Sequence, residues 1–434
     1  MLEKLAKARN LSKANNAIKR LISERGESNA ISMADDVVTN YRKLSKDQHI
    51  QFFGFIFEKL NPNADAVMKA AQSYAAEANA RNYVHLQRVV EAPRQELFRR
   101  LNRASQGTAA VVEMRRDLLQ ILDKKPEFTA VDFDMRHLLS SWFNPGFLKM
   151  HQVDWKSPAE VLEKLIQHEA VHAIDGWDDL RRRLQPDRRC FAFFHPQLPN
   201  EPLIFVEVAL LPEIPAVITP LVDKKAETVH QSSQYKVAAF YSISNCEPGL
   251  RGVSMGNFLI KRVAEQLHAE FPGLKTFVTL SPIPGFIDWV AAGADIGGDK
   301  TGVQLKPAIR TAREQALEAI GLAKRSWTER LSSGWHPDNA TEKEKNALLC
   351  LASIYLALGS AGRNGNPVAK FHLGNGAKLH QINWAADLSR KGLRQSAALM
   401  VNYLYDLSAV EENHERFTRG EIDYSRAVGR LMQP

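Results

Sequence analysis

Two histidines and a glutamate in residues 168–172 have the spacing that can hold a zinc ion. His168, Glu169 and His172 form the pattern H-E-x-x-H. On a helix the two imidazoles would lie on one face, and the glutamate could act as a general base. Catalytic zinc needs a third protein ligand. No histidine follows at the usual offset, and Glu201 and Glu207 lie beside or within a predicted strand. We therefore expect no metal site and a structural role for both histidines.

A glycine-rich turn between a predicted strand and a predicted helix could bind phosphate groups. Residues 238–267 give a strand, a loop that carries Gly249, Gly252 and Gly256, and then an amphipathic helix. Glycines let the backbone approach a ligand closely, and the free N–H groups at the start of a helix suit a pyrophosphate. The same glycines are also compatible with a tight turn that has only a structural role.

A serine and a histidine occupy positions from which side chains often reach a cleft. Ser281 follows a predicted strand and precedes Pro282-Ile283-Pro284-Gly285, where the prolines restrict the path of the backbone. His372 lies in a segment rich in glycine and asparagine, which we predict to be a loop between helices. A serine at a strand end is often a cap, and a single histidine often makes a structural hydrogen bond. No nearby acidic residue completes a serine–histidine–aspartate triad.

The elements that must position these residues change in type near residue 148. Before it, apolar residues recur at helical spacing in segment after segment. Two such stripes are Ile50, Phe53, Phe57 and Leu60, and Val111, Met114, Leu118 and Ile121. We predict that residues 1–148 form a helical bundle that serves as a scaffold or in oligomerisation.

Residues 149–434 are predicted to form a mixed domain in which helices pack around a modest sheet, so the fold class is α+β. Short β-branched or aromatic runs predict four strands: Cys190–Phe194, Leu203–Leu210, Ala238–Ser244 and Thr276–Leu280. An amphipathic helix over Asn257–Glu270 separates the last two strands. From about residue 305 helices are expected again, interrupted by a long loop over Gly362–Ala377.

The composition is that of a globular protein with a large core. Of the 434 residues, 44% are apolar and 24% are charged, which fits about two domains. No apolar run is long enough to span a bilayer, and the N-terminus lacks the apolar core of a secretory signal. Cys190, Cys246 and Cys350 have no pair spacing, which indicates reduced thiols in an intracellular protein. The net charge of +8 is dispersed, so nucleic-acid binding is not expected.

Five segments, taken together and in this order, resemble the malonyl-CoA decarboxylase family. They are HEAVHAIDGWDDLRRRLQPDRRC, NEPLIFVEVAL, FYSISNCEPGLRGVSMGNFLIKRV, LSPIPGF and FHLGNGAKLHQINW, and they extend over most of residues 165–390. The resemblance implies an N-terminal helical bundle for oligomerisation and a C-terminal GNAT-like domain that binds acyl-CoA. It also implies the conversion of malonyl-CoA to acetyl-CoA and CO2 without a metal or an organic cofactor.

The resemblance also assigns the site residues. It places the CoA-binding loop on Arg251, Gly252, Val253, Ser254, Met255, Gly256 and Asn257. It makes Ser281 the proton acceptor and His372 the proton donor at the malonyl end of the substrate, and we expect the two side chains to form a hydrogen-bonded pair. A tyrosine of the family falls on Tyr403 or Tyr405. Animal members carry a glutamate where this chain has Ser254, so an acidic role there is lost or moved to another residue.

We expect a bacterial-type, cytoplasmic homo-oligomer, a dimer or a tetramer, that binds neither nucleic acid nor membrane. The alternative is a GNAT-type N-acyltransferase, although the turn keeps the central Gly252 of the acetyltransferase pattern without its flanking positions. The arginines at 181–183 and 188–189 could contact the phosphates of CoA, form salt bridges or face solvent.

Overall fold

The computed structural model describes residues 2–23, 29–226, 228–253, 259–296, 306–321, 326–360, 362 and 365–433. The chain forms two compact units. The first comprises Met1–Lys149, Phe194–Leu203 and Glu247–Gly256. The second comprises Met150–Phe193, Ile204–Cys246 and Asn257–Pro434. The first unit therefore includes two short segments from the later part of the chain, one of which carries the predicted glycine turn.

The first unit is built from helices, as predicted. They are α1 (Leu2–Leu21), α2 (Ala30–Tyr41), α3 (Lys46–Lys59), α4 (Ala64–Ala76), α5 (Ala80–Val90), α6 (Pro93–Asn102), α7 (Gly107–Leu119) and α8 (Thr129–Trp142). Side chains cap several of these helices, because the first N–H groups of a helix have no partner within it. Asn63 and Asn79 accept from the backbone N–H groups of Ala66 and Asn82, at 2.9 and 2.8 Å.

The predicted apolar stripes form much of the core of this unit. Val111, Met114, Leu118 and Ile121 are all buried. In the α3 stripe Phe53 and Leu60 are buried, whereas Ile50 and Phe57 are partly buried. Burying an aliphatic or phenylalanine side chain stabilises a fold by roughly 1.5–3 kcal/mol, so helical periodicity identified the side chains that hold these helices together.

A mixed sheet, most of whose residues belong to the second unit, has the order β1-β2-β3-β4-β5-β8-β6, and β7 pairs with β8. The strands are β1 (Lys149–Val153), β2 (Arg188–His195), β3 (Leu198–Leu211), β4 (Val237–Asn245), β5 (Thr276–Thr279), β6 (Ser281–Pro282), β7 (Lys378–Asn383) and β8 (Met400–Tyr405). β4 and β5 are parallel, and β8 runs antiparallel to β5, β6 and β7. The α+β prediction is confirmed.

Helices connect and cover these strands. They are α9 (Ala159–His168), α10 (Gly176–Arg183), α11 (Thr219–Val222), α12 (Leu259–Glu270), α13 (Phe286–Ala291), α14 (Pro307–Ile320), α15 (Trp327–Ser332), α16 (Glu342–Gly359), α17 (Pro367–Gly374), α18 (Arg390–Ser396), α19 (Val410–Thr418) and α20 (Arg426–Leu431). α12 links the parallel strands β4 and β5, and it buries one apolar face that includes Ile260, Val263 and Leu267. In the described part of the chain, every helix is too short or too polar to cross a membrane.

The predicted loop over Gly362–Ala377 is wrong, because it contains a helix. Asn366 and Pro367 begin α17: the Asn366 side chain accepts from the N–H of Ala369 at 2.9 Å, and Pro367 takes the first helical position. His372 therefore lies on a helix. The strands β7 and β8 were also missed, in a region that was predicted to be mostly helical. The four predicted strands are confirmed, with ends that differ by a few residues.

Candidate active site

The H-E-x-x-H segment turns away from a helix and binds the sheet through its glutamate. Helix α9 ends at His168, and Glu169 has extended backbone angles, so the two histidines do not share a helical face. The buried Glu169 carboxylate accepts from Ser242 Oγ at 2.7 Å, Ser244 Oγ at 3.1 Å and the backbone N–H of His172 at 2.9 Å. The segment thus anchors the chain to β4.

The electrostatics of the segment are also those of a structural element. Burial lowers the pKa of His172 to about 4, so its imidazole is neutral at pH 7. Among the residues that the structure describes, no group of three or more histidine, cysteine, aspartate or glutamate side chains is arranged to hold a metal ion. The hydrogen bonds of the Glu169 carboxylate to β4 and to the His172 N–H explain why a glutamate lies here, without a catalytic role.

Ser281 and His372 lie together, although 91 positions separate them in the chain. Ser281 Oγ lies 3.1 Å from His372 Nε2. Ser281 begins β6 directly after β5, and His372 lies in the last turn of α17. Both side chains are buried, with 5% and 4% of their surface exposed. Ser281 and His372 therefore form one hydrogen-bonded pair.

Asn366 connects the two segments that carry this pair. Its side-chain amide is fully buried, and Nδ2 donates to the carbonyl of Pro284 at 2.8 Å, in the segment that follows Ser281. Its Oδ1 caps the helix that carries His372. Gly285 then turns the chain into α13 with a φ of 74°, a left-handed conformation that glycine adopts without steric cost. Sequence reasoning missed Asn366, although Asn-Pro is a typical helix start.

Both candidate tyrosines contact His372, in different ways. Tyr403 and Tyr405 point to the same face because side chains alternate along a strand. Tyr405 OH lies 2.9 Å from His372 Nδ1. The Tyr403 ring stacks on the imidazole, with ring centres 4.8 Å apart, and its buried hydroxyl has no hydrogen-bond partner in the described part of the chain. The structure thus gives Tyr405 the polar contact and Tyr403 the packing contact.

Thr279 completes the cluster, and sequence reasoning did not identify it. Ser281 Oγ donates to Thr279 Oγ1 at 2.9 Å, and the backbone N–H of Tyr403 donates to the same oxygen at 3.1 Å. Because the single Ser281 hydrogen points to Thr279, its oxygen accepts from His372 Nε2–H. His372 Nδ1 then accepts from the Tyr405 hydroxyl. Thr279 and Ser281 are two positions apart at a strand end, and this spacing could have indicated that their side chains point to the same face of the sheet.

Burial keeps this hydrogen-bonded cluster uncharged. It lowers the pKa of His372 to about 3, so the imidazole is neutral at pH 7. It raises the pKa of Tyr405 well above its ordinary value, so the phenol stays protonated and can donate a hydrogen bond to His372 Nδ1. The described structure places no carboxylate in contact with the imidazole. Such a cluster can exchange protons and donate hydrogen bonds to a developing oxyanion.

The glycine turn lies in the first unit, against α7. Gly252 has a φ of 75°, and a Cβ atom on Gly249 would lie 2.2 Å from the carbonyl oxygen of Val112. Both positions therefore require glycine. Arg251 is exposed and Val253 is buried. Of the predicted CoA-binding residues, Ser254, Met255, Gly256 and Asn257 lie outside the described residues.

Four of the five arginines in segments 181–183 and 188–189 form ion pairs within the fold. Arg183 pairs with the buried Glu207 at 3.0 Å, and Arg188 pairs with Asp187 at 2.8 Å. Arg182 also pairs with Asp187, and Arg189 pairs with Glu270. Arg181 stacks on Trp155. Ion pairs within the fold therefore account for most of this cluster.

The helical first unit and the mixed sheet, with its order of strand, glycine turn, helix and parallel strand, define an α+β protein. Two family models match the chain. The malonyl-CoA decarboxylase C-terminal domain matches residues 146–434, and the malonyl-CoA decarboxylase N-terminal domain matches residues 60–143. The chain belongs to the malonyl-CoA decarboxylase family.

Similar proteins include bacterial and animal members. The chain is 42% identical to malonyl-CoA decarboxylase from Rhodopseudomonas palustris, whose crystal structure superimposes with a TM-score of 0.82 over 97% of this chain and 99% of that one. The chain is 41% identical to malonyl-CoA decarboxylase from Agrobacterium vitis, whose crystal structure superimposes with a TM-score of 0.81 over 97% of this chain and 100% of that one. The mitochondrial malonyl-CoA decarboxylase of Mus musculus is 38% identical over 326 residues, which cover 73% of this chain and 66% of the mouse protein.

Proposed function

We propose that this protein is a carboxy-lyase that converts malonyl-CoA to acetyl-CoA and CO2, with Ser281 and His372 at the reacting end of the substrate. The observation that supports it most is the buried pair itself, with 3.1 Å between Ser281 Oγ and His372 Nε2. The relatives that match nearly the whole chain are malonyl-CoA decarboxylases. No feature of the described residues favours the alternative N-acyltransferase.

The reaction consumes one proton, and the cluster around His372 can hold and move one. When the carbon–carbon bond breaks, CO2 leaves and the electron pair stays as a thioester enolate. Hydrogen-bond donors directed at the thioester oxygen stabilise that charge. The α-carbon must then receive a proton. His372 supplies it from Nε2, directly or through the hydroxyl of Ser281, while Tyr405 passes its own proton to Nδ1. A proton from solvent then restores the Tyr405 hydroxyl, so that one solvent proton is consumed per turnover.

The other predicted residues would hold the substrate. The buried Tyr403 hydroxyl, which has no partner in the described structure, is a further donor close to His372. The loop made of Arg251, Gly252, Val253, Ser254, Met255, Gly256 and Asn257 would bind the CoA moiety through backbone N–H groups. Neither task requires a metal or an organic cofactor, so we propose catalysis by these side chains alone.

We propose that the protein is a bacterial-type cytoplasmic enzyme, because the solved structures that it resembles are of bacterial malonyl-CoA decarboxylases. It aligns with nearly the full length of two bacterial structures but with 66% of the mouse protein. All three cysteines are described and buried, and no disulfide joins them, as expected in a reducing compartment. Cell fractionation that finds the protein outside the cytosol would contradict this location.

The first unit offers a surface for assembly into a homo-oligomer, a dimer or a tetramer. Helices α4 and α5 form a hairpin, and in the described structure none of the α5 residues is buried. This hairpin exposes the large apolar side chains of Met68, Tyr83, Val84 and Val90. Contiguous exposed apolar side chains often mark protein–protein contacts, and we propose that a second copy of the chain covers them.

The double substitution Val84→Glu/Val90→Glu is expected to lower the mass of the particle in solution, because it introduces two charges into the proposed contact. Light scattering after size exclusion measures that mass. Ile31→Glu changes an equally exposed apolar residue of α2 and should leave the mass unchanged. An unchanged mass in the α5 variant, or a loss in the control, would place the contact elsewhere.

Malonyl-CoA labelled at its free carboxyl carbon provides the test of the proposed reaction. We expect one labelled CO2 and one acetyl-CoA per malonyl-CoA consumed, at the same rate with and without a strong chelator and in the His168→Ala variant. An N-acyltransferase would instead turn over only when an amine acceptor is present. A zinc hydrolase would lose activity with the chelator and with His168→Ala. Either result would overturn the proposal.

A further inference from the structure

A buried arginine of the helical bundle holds the glycine turn. Arg115, on α7, has 1% of its surface exposed. Its guanidinium donates from Nη1 to the carbonyl of Gly249 at 2.7 Å and from Nη2 to the carbonyl of Arg251 at 2.8 Å. Nε donates to Asp132 Oδ1 at 2.8 Å. All three nitrogens of the guanidinium group therefore donate hydrogen bonds, and two of these bonds hold the turn.

These contacts fix the direction of one peptide N–H group. In a trans peptide the N–H points opposite to the carbonyl. The carbonyl of Arg251 points to Arg115, so the N–H of Gly252 points away from α7. This N–H makes no hydrogen bond to any residue that the structure describes, whereas the N–H groups of Leu250, Arg251 and Val253 bond within the turn. By holding the Arg251 carbonyl, Arg115 thus directs the unbonded N–H of Gly252 to the side of the turn opposite α7.

The same part of α7 also sets the distance between helix and turn. Gly249 packs so closely against the Val112 carbonyl that any side chain would collide with it. Asp132 neutralises the charge of Arg115, and the guanidinium lies behind the turn. Arg115 therefore orients the turn and does not itself reach a ligand on the opposite side.

We propose that Arg115 is a positioning residue for CoA, because it orients the Arg251–Gly252 peptide so that the Gly252 N–H can donate to a phosphate of the CoA moiety. This inference rests on the proposed function of the turn. It gives the helical bundle a direct part in substrate binding, in addition to assembly. Lysine cannot replace this arginine, because an ammonium group lacks the planar fork that binds two carbonyls and a carboxylate together.

Arg115→Lys is expected to raise the KM for malonyl-CoA by about ten- to a hundredfold with kcat changed by less than about threefold, since it weakens ground-state and transition-state binding alike. Arg94→Lys is the matched control. Arg94 is also buried, also pairs with an aspartate of α8 and also donates to a backbone carbonyl, that of Leu60, but it does not contact the turn. Urea unfolding of both variants measures the stability that each loses.

A KM in Arg115→Lys that equals the KM of Arg94→Lys would overturn the inference, and so would a loss confined to kcat. If Arg115→Lys does not fold, Asp132→Asn provides the second variant, because it loosens the guanidinium and should raise KM by a smaller factor. Calorimetric titration with free CoA tests the role of Arg115 in CoA binding separately from the proposed decarboxylation. A wild-type protein that binds CoA without decarboxylating malonyl-CoA contradicts the proposed reaction, and weaker CoA binding in Arg115→Lys would still support the inference.

Discussion

His372→Gln is expected to lower kcat for malonyl-CoA decarboxylation by about 10²–10⁴-fold, the usual contribution of a positioned proton donor. The imidazole contacts Ser281 through Nε2 and Tyr405 through Nδ1, so it can release a proton on one side while it receives one on the other. A glutamine amide can hydrogen-bond at similar positions but cannot relay a proton in this way. Steady-state kinetics with the labelled substrate measures the loss, and CoA binding should remain.

The control for this substitution is His195→Gln. His195 is also buried, and its Nε2 contacts the carbonyl of Trp142 at 3.0 Å within the first unit. We expect it to lose stability to a similar extent and to keep its activity. Equal losses of kcat in both variants would show that the effect of His372→Gln is structural.

The pH dependence gives an independent check on His372. Because burial lowers its pKa to about 3, the pH profile of kcat/KM for the free enzyme should show no ionisation of His372 near the ordinary histidine value of about 6.5. Unfolding exposes the imidazole and restores that ordinary value. Its contribution to stability is therefore complete above the unfolded pKa and decreases as the pH falls toward the folded pKa. A pH limb near 6.5 assigned to His372 would contradict a buried neutral imidazole.

Local periodicity predicted the helices of the first unit, α12 and the strands β2 to β5, but it did not predict β6, α17 or β8, which carry Ser281, His372 and the two tyrosines. The stripe on α7 and the apolar face of α12 repeat at helical spacing, and strands such as β4 are short β-branched or aromatic runs. Where glycine, asparagine and proline dominate, the prediction was a loop. At α17 the asparagine and the proline instead begin a helix, because the Asn366 amide serves both as the cap and as the link to Pro284.

Residue spacing alone could not predict the contacts within the site, because they join residues that are distant in sequence. The Ser281–His372 pair was expected only from the family resemblance. Ser281 meets His372 across 91 positions, and Arg115 meets Gly249 across 134. The H-E-x-x-H pattern is a local signal that suggested a site where none forms. Its spacing brings two histidines together only when all five residues lie on one helix. Helix α9 ends inside the pattern, and the Glu169 carboxylate binds serines of β4 that lie more than 70 positions later.

Ser281→Ala is expected to lower kcat by about 10²–10⁴-fold, the usual contribution of a positioned proton-transfer group, because it removes the hydroxyl through which the His372 proton can pass to the α-carbon. The substitution leaves His372 Nε2–H without its hydrogen-bond acceptor in a buried cluster, whereas Thr279 Oγ1 keeps the backbone N–H of Tyr403. Leaving such a group unsatisfied should cost about 1–3 kcal/mol of the free energy of unfolding. KM for malonyl-CoA should change little, because the proposed CoA contacts involve other residues. Rapid-quench kinetics and urea unfolding measure the two effects.

Ser353→Ala separates loss of chemistry from loss of a buried hydroxyl. Ser353 is fully buried on α16, where its Oγ donates to the carbonyl of Leu349 at 2.8 Å and has no contact with His372. Both variants remove one oxygen from the interior, so a decrease in kcat that follows stability alone should appear in both. A decrease confined to Ser281→Ala would assign the effect to the hydroxyl that His372 contacts. Full activity in Ser281→Ala would instead show that His372 delivers the proton without a serine.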